Sequence, residues 1–124
     1  MKLTPILFRW LAIVWTVIML IGCLTPHSEL PDELVSWNDK AQHIAIFALF
    51  TLLWRLAGLK LATAAVVGVL FGALIEALQY VLPINRSADW ADLFADSIGV
   101  ILGMLLVPVA QKVVDSISSK LISE

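Results

Sequence analysis

Apolar residues fill four long stretches of this chain, separated by short polar segments. The first runs from about residue 6 to 24 and is broken only by Arg9. The second spans about 41–59, with Gln42 and His43 at its start. The third spans about 61–82 and carries Glu76 and Gln79 in its last turns. The fourth spans about 91–110, with Asp92 and Asp96 in its first turns. A helix needs roughly 20 apolar residues to cross the hydrocarbon core. The pattern therefore predicts an all-α integral membrane bundle of four transmembrane helices in a single domain over residues 1–124.

The connections fit that reading. Residues 25–40 form a polar loop with Pro26, Pro31 and four acids. Only Gly58, Leu59 and Lys60 separate the second and third stretches, so these form a tight hairpin. Pro83 stops the third helix, and residues 84–90 lead into the fourth. Ser36, Asn38 and Ser87 are suited to N-cap positions, and Asp39 and Asp89 to first-turn positions. After Pro108, apolar Val113, Val114, Ile117 and Leu121 recur at helical spacing, which predicts an amphipathic tail lying at the interface. Trp37, Tyr80 and Trp90 read as aromatic anchors near the headgroups.

Basic residues orient the bundle, because they concentrate on the cytoplasmic side. The side shared by both termini and the hairpin turn holds Lys2, Arg9, Arg55, Lys60, Lys112 and Lys120. The opposite side holds Lys40 and Arg86. Both termini are thus expected in the cytoplasm, with residues 25–40 and 84–90 facing outward. Lys2 and Arg9 ahead of Leu20-Ile21-Gly22-Cys23 also fit a bacterial lipoprotein cleavage box, which would lipidate Cys23 and leave three spans. The simpler expectation is an uncleaved first helix in which Gly22 and Cys23 are packing residues.

Composition agrees with a bilayer. The 124 residues are 60% hydrophobic and 15% charged, with a mean hydropathy of +0.95. A soluble domain is nearer half apolar and a quarter charged. A net charge of −2 gives no basic surface for nucleic acid, and one cysteine excludes an internal disulfide framework.

The predicted orientation brings charged residues to one depth. Lys40 and His43 begin the second helix, Glu76, Gln79 and Tyr80 end the third, and Asp89, Asp92 and Asp96 begin the fourth. Arg86 lies in the connection. Helical spacing places Glu76 and Gln79 on the stripe of Gly68 and Gly72, and Asp92 and Asp96 on the stripe of Gly99 and Gly103. Small-residue stripes let helices approach closely, so the third and fourth helices are expected to pack glycine to glycine. A charge at the centre of a lipid-facing helix costs about 2.5–3.5 kcal/mol on insertion scales. Glu76 and Asp96 should therefore face protein or water. First-turn stabilisation alone accounts for Asp89 and Asp92, and snorkelling alone for Lys40. The depth of Glu76 and Asp96 has no such simple account.

Three blocks occur in order: Asp39-Lys40-Ala41-Gln42-His43, Glu76-Ala77-Leu78-Gln79, and Arg86-Ser87-Ala88-Asp89-Trp90-Ala91-Asp92, followed by Gly99 and Gly103. Together they resemble the VanZ-like family of small bacterial membrane proteins. That family takes its name from an accessory protein of a glycopeptide-antibiotic resistance cluster linked to teicoplanin resistance. The resemblance spans about residues 25–103 and implies a multi-pass protein of the bacterial inner membrane. It maps the family's polar positions onto Lys40, His43, Glu76, Gln79, Arg86, Asp89 and Asp92. The chain departs at Asp96, where the family more often has asparagine, and at Asn85, where a glycine often stands. An extra acid at residue 96 favours a cation.

Three functions fit these residues. A membrane-embedded enzyme would act on a phosphate-bearing envelope lipid. Glu76 or His43 would be its general acid or base. Lys40, Arg86 and helix N-termini would hold the phosphate, and Asp92 and Asp96 a divalent cation. A non-catalytic binder of an anionic envelope component would use Lys40, Gln79, Arg86, Asp89, Asp92 and Asp96 without a nucleophile. A structural subunit would use the cluster only as glue between helices. No HExxH, P-loop or G-x-S-x-G motif occurs to select the first.

Overall fold

A computed structural model describes residues 5–26, 29, 38–83 and 89–123. These form four helices and no strand among the described residues: α1 (Pro5–Leu24), α2 (Asp39–Leu56), α3 (Leu61–Val81) and α4 (Trp90–Ser123). Ser36, Trp37, Arg86 and Ser87 lie outside the described residues.

Three of the four helices, α1, α3 and α4, are long and apolar enough to cross a membrane. The expectation of four such helices is corrected at α2, which has only 18 residues and includes Asp39, Lys40 and Arg55. Its polar character has a structural reason. It packs against all three other helices, so much of its side-chain surface meets protein. Phe47, Phe50 and Thr51 of α2 are buried in the centre, with Ile75 of α3 and Val100 of α4 beside them. The outer faces of α1, α3 and α4 are lined instead by exposed Leu, Ile and Val, as lipid-facing surfaces require.

Helix ends follow local chemistry. Asn38 caps α2, its side chain accepting from the Ala41 N–H at 3.0 Å. At the other end, Gly58 adopts a φ of +116°. The Leu59 N–H returns to Trp54 O at 3.1 Å and the Gly58 N–H to Arg55 O at 3.1 Å. This is a Schellman closure, in which glycine supplies the positive φ. It turns the chain directly into α3. Asp89 caps α4, accepting from the Ala91 N–H at 2.9 Å.

The fourth helix does not end near residue 110. It runs 34 residues to Ser123 and passes through Pro108. At about 1.5 Å per residue it is about 51 Å long, against a hydrocarbon core of about 30 Å. The separate interfacial tail expected after Pro108 is therefore a continuation of the same helix. Proline removes one backbone donor but is tolerated in membrane helices, where local adjustments re-satisfy the freed carbonyl.

The glycine stripes also find different partners from those expected. A Cβ on Gly99 would strike the Ile44 carbonyl oxygen, and one on Gly103 would lie 2.6 Å from that of Ala48. Both stripes of contact step by four residues in the same direction, so α4 packs in parallel against α2. Gly68 receives Val100, and Gly72 receives the Asp96 side chain, each 2.8 Å from an added Cβ. The glycines thus do not face one another. Those of α4 admit the α2 backbone, and those of α3 admit α4 side chains.

Candidate functional site

The parallel starts of α2 and α4, with the end of α3 beside them, gather the charged residues. His43 is 3% exposed and Asp96 is fully buried. The His43 Nδ1 and Asp96 Oδ1 stand 2.5 Å apart. Gly72 provides the space for this carboxylate, since a side chain there would meet Asp96 Oδ2. The imidazole stacks along its own helix on Phe47, with ring centroids 6.5 Å apart.

One turn toward the polar end, the second imidazole nitrogen faces two further acids. His43 Nε2 is 3.8 Å from Asp39 Oδ1 and 3.8 Å from Asp92 Oδ2. Both distances exceed hydrogen-bond length. Oxygen or nitrogen atoms of Asp39, His43 and Asp92 all lie within 4.8 Å of one another, a grouping able to hold a metal ion. Asp92 and Asp96, the pair expected to share a cation, face different nitrogens of the imidazole, Asp92 Oδ2 near Nε2 and Asp96 Oδ1 near Nδ1.

Lys40 closes the rim. Its ammonium pairs with Asp92 Oδ1, with Asp89 Oδ2 at 3.0 Å and with Asp39 Oδ2 at 3.5 Å. The Ala91 N–H, and after it the Lys40 ammonium, hold the exposed Asp89 carboxyl below the ordinary carboxylate range. Glu76 joins from α3, where its Oε2 accepts from the Asp89 N–H at 2.8 Å. This carboxylate ties the end of α3 to the start of α4 and leaves Glu76 Oε1 buried without a partner among the described residues. Asp96 Oδ2 is in the same condition.

Gln79 points elsewhere. Its Nε2 donates to Cys23 O on α1 at 2.7 Å, so the side chain holds α1 to α3 and is not joined to the charged cluster. Gln79, expected in a binding role, makes this interhelical bond through its amide nitrogen, and its Oε1 is buried without a partner among the described residues. Cys23 itself is a buried core residue, whereas a Cβ on Gly22 would meet nothing within 4 Å. Of the packing pair expected at this end of α1, Cys23 is buried in the core, and Gly22 has room for a side chain.

Sequence spacing placed Asp39 only as a helix-start residue, yet it completes the cluster. The signal was present: Asp39 and His43 are four residues apart, hence on one helix face.

Beside the cluster a cavity of about 460 Å³ opens between α3 and α4, lined by Ala73, Glu76, Ala77, Tyr80, Asp89, Trp90 and Leu93. Its walls are mainly apolar, and Glu76 and Asp89 mark the place where it meets the charged residues. Tyr80 and Trp90 flank its mouth and are 82% and 85% exposed.

The family model described as VanZ/LLP1 matches residues 2–111. The chain belongs to the VanZ/LLP1 family. No curated relative and no solved structure matches the chain. The match to this family ends at residue 111, so it leaves out the last turns of α4, which run on to Ser123.

Proposed function

We propose that this VanZ-family protein takes a phosphate-bearing envelope lipid from the outer leaflet, its headgroup at the charged cluster and its chain in the α3–α4 cavity. The observation that carries this reading is the cavity itself, an apolar groove ending on Glu76 and Asp89. Amphiphilic ligands need that continuity of apolar wall and polar end. Tyr80 and Trp90, amphipathic rings suited to headgroup depth, flank the entrance. The polar end is read as facing outward on the charge bias given above.

Charge sets a condition. Asp39, Glu76, Asp89, Asp92 and Asp96 outnumber Lys40 and His43 among the described residues of the cluster. Lys40 already serves three carboxylates. An anionic headgroup therefore needs an additional positive charge, from Arg86 or from a bound cation.

Lipid occupancy of protein purified into nanodiscs, read by native mass spectrometry, tests the proposal. A polyprenyl phosphate should bind in preference to a zwitterionic lipid. Ala77→Trp, which fills the groove from its exposed wall, should lower occupancy at least tenfold. Equal occupancy in Ala77→Trp removes the groove from the account. Product formed by the wild type and lost in Glu76→Gln makes the site catalytic, whereas binding without turnover makes the protein a carrier or shield.

The interhelical ties favour a second reading, in which the cluster is only glue. His43–Asp96, Lys40–Asp92 and Asp89–Glu76 each join two elements. If Glu76→Gln and His43→Ala keep full cellular function and lose only thermal stability, that reading replaces the first. Glu76 Oε1 and Asp96 Oδ2 stay buried without a partner among the described residues, but so does Gln79 Oε1 in the α1–α3 tie, so unsatisfied acceptors do not separate the two readings.

A further inference from the structure

We propose that Asp39, His43 and Asp92 form a binding site for a divalent first-row transition-metal ion, with Asp96 as the positioning residue that orients the imidazole. Three features of the cluster converge on this. The first is the donor set. One imidazole nitrogen and two carboxylate oxygens lie within 4.8 Å of one another. Ligands about 2.1 Å from a tetrahedral ion stand roughly 3–3.5 Å apart. The 3.8 Å separations from His43 Nε2 to each acid are close to that spacing and too long for hydrogen bonds. Asp39, whose side chain is 48% exposed, is the least confined of the three.

The second is the other side of the ring. A metal-binding histidine characteristically gives its remaining N–H to a carboxylate, which fixes the tautomer and the ring plane. His43 Nδ1 is held in this way by the fully buried Asp96, with Phe47 stacked along the ring. Nε2 is thereby directed at Asp39 and Asp92, 3.8 Å from an oxygen of each.

The third is the distribution of carboxylate oxygens. Lys40 engages Asp92 through Oδ1 and Asp39 through Oδ2, while the oxygens nearest His43 are Asp92 Oδ2 and Asp39 Oδ1. Lysine and metal ion would thus use opposite edges of the same two acids. The imidazole ligand favours zinc, copper, iron or nickel over magnesium and calcium, and the two carboxylates also admit manganese, which serves as a probe. Three protein ligands leave an open position for an oxygen of the ligand. What fills that position rests on the headgroup reading; whether the ion binds does not.

Full-length protein in detergent, stripped with EDTA and free of added lipid, is titrated with Mn²⁺ by EPR and with Zn²⁺ by calorimetry. The wild type should take one ion per chain. Asp96→Asn should weaken binding about 10–100-fold, as loss of an orienting carboxylate does. His43→Gln and Asp92→Asn should weaken it at least as much. Asp39→Asn supplies the variant least able to disturb the fold, because its side chain lies at the exposed rim. Asp115→Asn, exposed on the distal part of α4, should bind as the wild type does. No saturable binding by the wild type, or Asp39→Asn and Asp92→Asn binding as tightly as the wild type, overturns the proposal. Metal binding that persists while polyprenyl phosphate fails to bind sinks the headgroup reading alone.

Discussion

Asp96 is the residue on which the most physical consequences converge. Its carboxylate is fully buried, touches His43 Nδ1 and occupies the space left by Gly72. Removing one partner of a buried pair typically costs about 3–5 kcal/mol, because the other is left uncompensated. Asp96→Ala should therefore destabilise the bundle by about that amount, measured as unfolding in a denaturing-detergent titration. Asp96→Asn retains an acceptor for the imidazole N–H and fills the same space. It should cost less than half as much. Equal losses would mean that the pair contributes through its volume and not through its hydrogen bond. The depth of Asp96 was legible from its place inside an apolar run. Its partner was not, because linear spacing relates residues of one helix and says nothing of which neighbour a side chain meets.

At the scale of the helices, the same limit explains the glycines. A four-residue glycine repeat announces close approach by some element without naming it. Gly99 and Gly103 admit the backbone of α2, where a new Cβ would meet Ile44 and Ala48 carbonyls that cannot rotate away. Gly99→Ala should cost about 1–3 kcal/mol, the usual range for overpacking. Gly22→Ala on α1 meets nothing within 4 Å. It should be neutral, or stabilise by up to about 1 kcal/mol through helix propensity. Thermal unfolding of both variants in one detergent compares them directly, and a Gly99→Ala protein as stable as wild type would remove the α2–α4 contact from the account. Helix boundaries set by capping were legible, as Asn38 and Gly58 show. Pro108 misled because it reads as a stop in water-soluble chains, whereas α4 continues beyond it.

At the scale of the whole molecule, connectivity decides what composition leaves open for α2. The ends of α1 and α3 meet where Gln79 donates to Cys23 O, so both run toward the polar end. The chain that leaves α1 at that end must begin α3 at the other. Only α2 carries it back, and at 18 residues it spans about 27 Å. If α1 and α3 cross the bilayer, this connectivity predicts that α2, although too polar to span by composition, returns across it packed against the other three helices. That makes a prediction for single-cysteine proteins in which Cys23 is replaced by serine. Lys60→Cys in the hairpin and Lys120→Cys on α4 should react with an impermeant maleimide from one face, the cytoplasmic one. Glu29→Cys should react only from the other. Should Lys60→Cys and Glu29→Cys label from the same face, α2 lies along the membrane, and the charged starts of α2 and α4 could not share one depth. The polar end would then lose the geometry that brings His43 to Asp92 and Asp96, so this labelling pattern tests the site together with the topology.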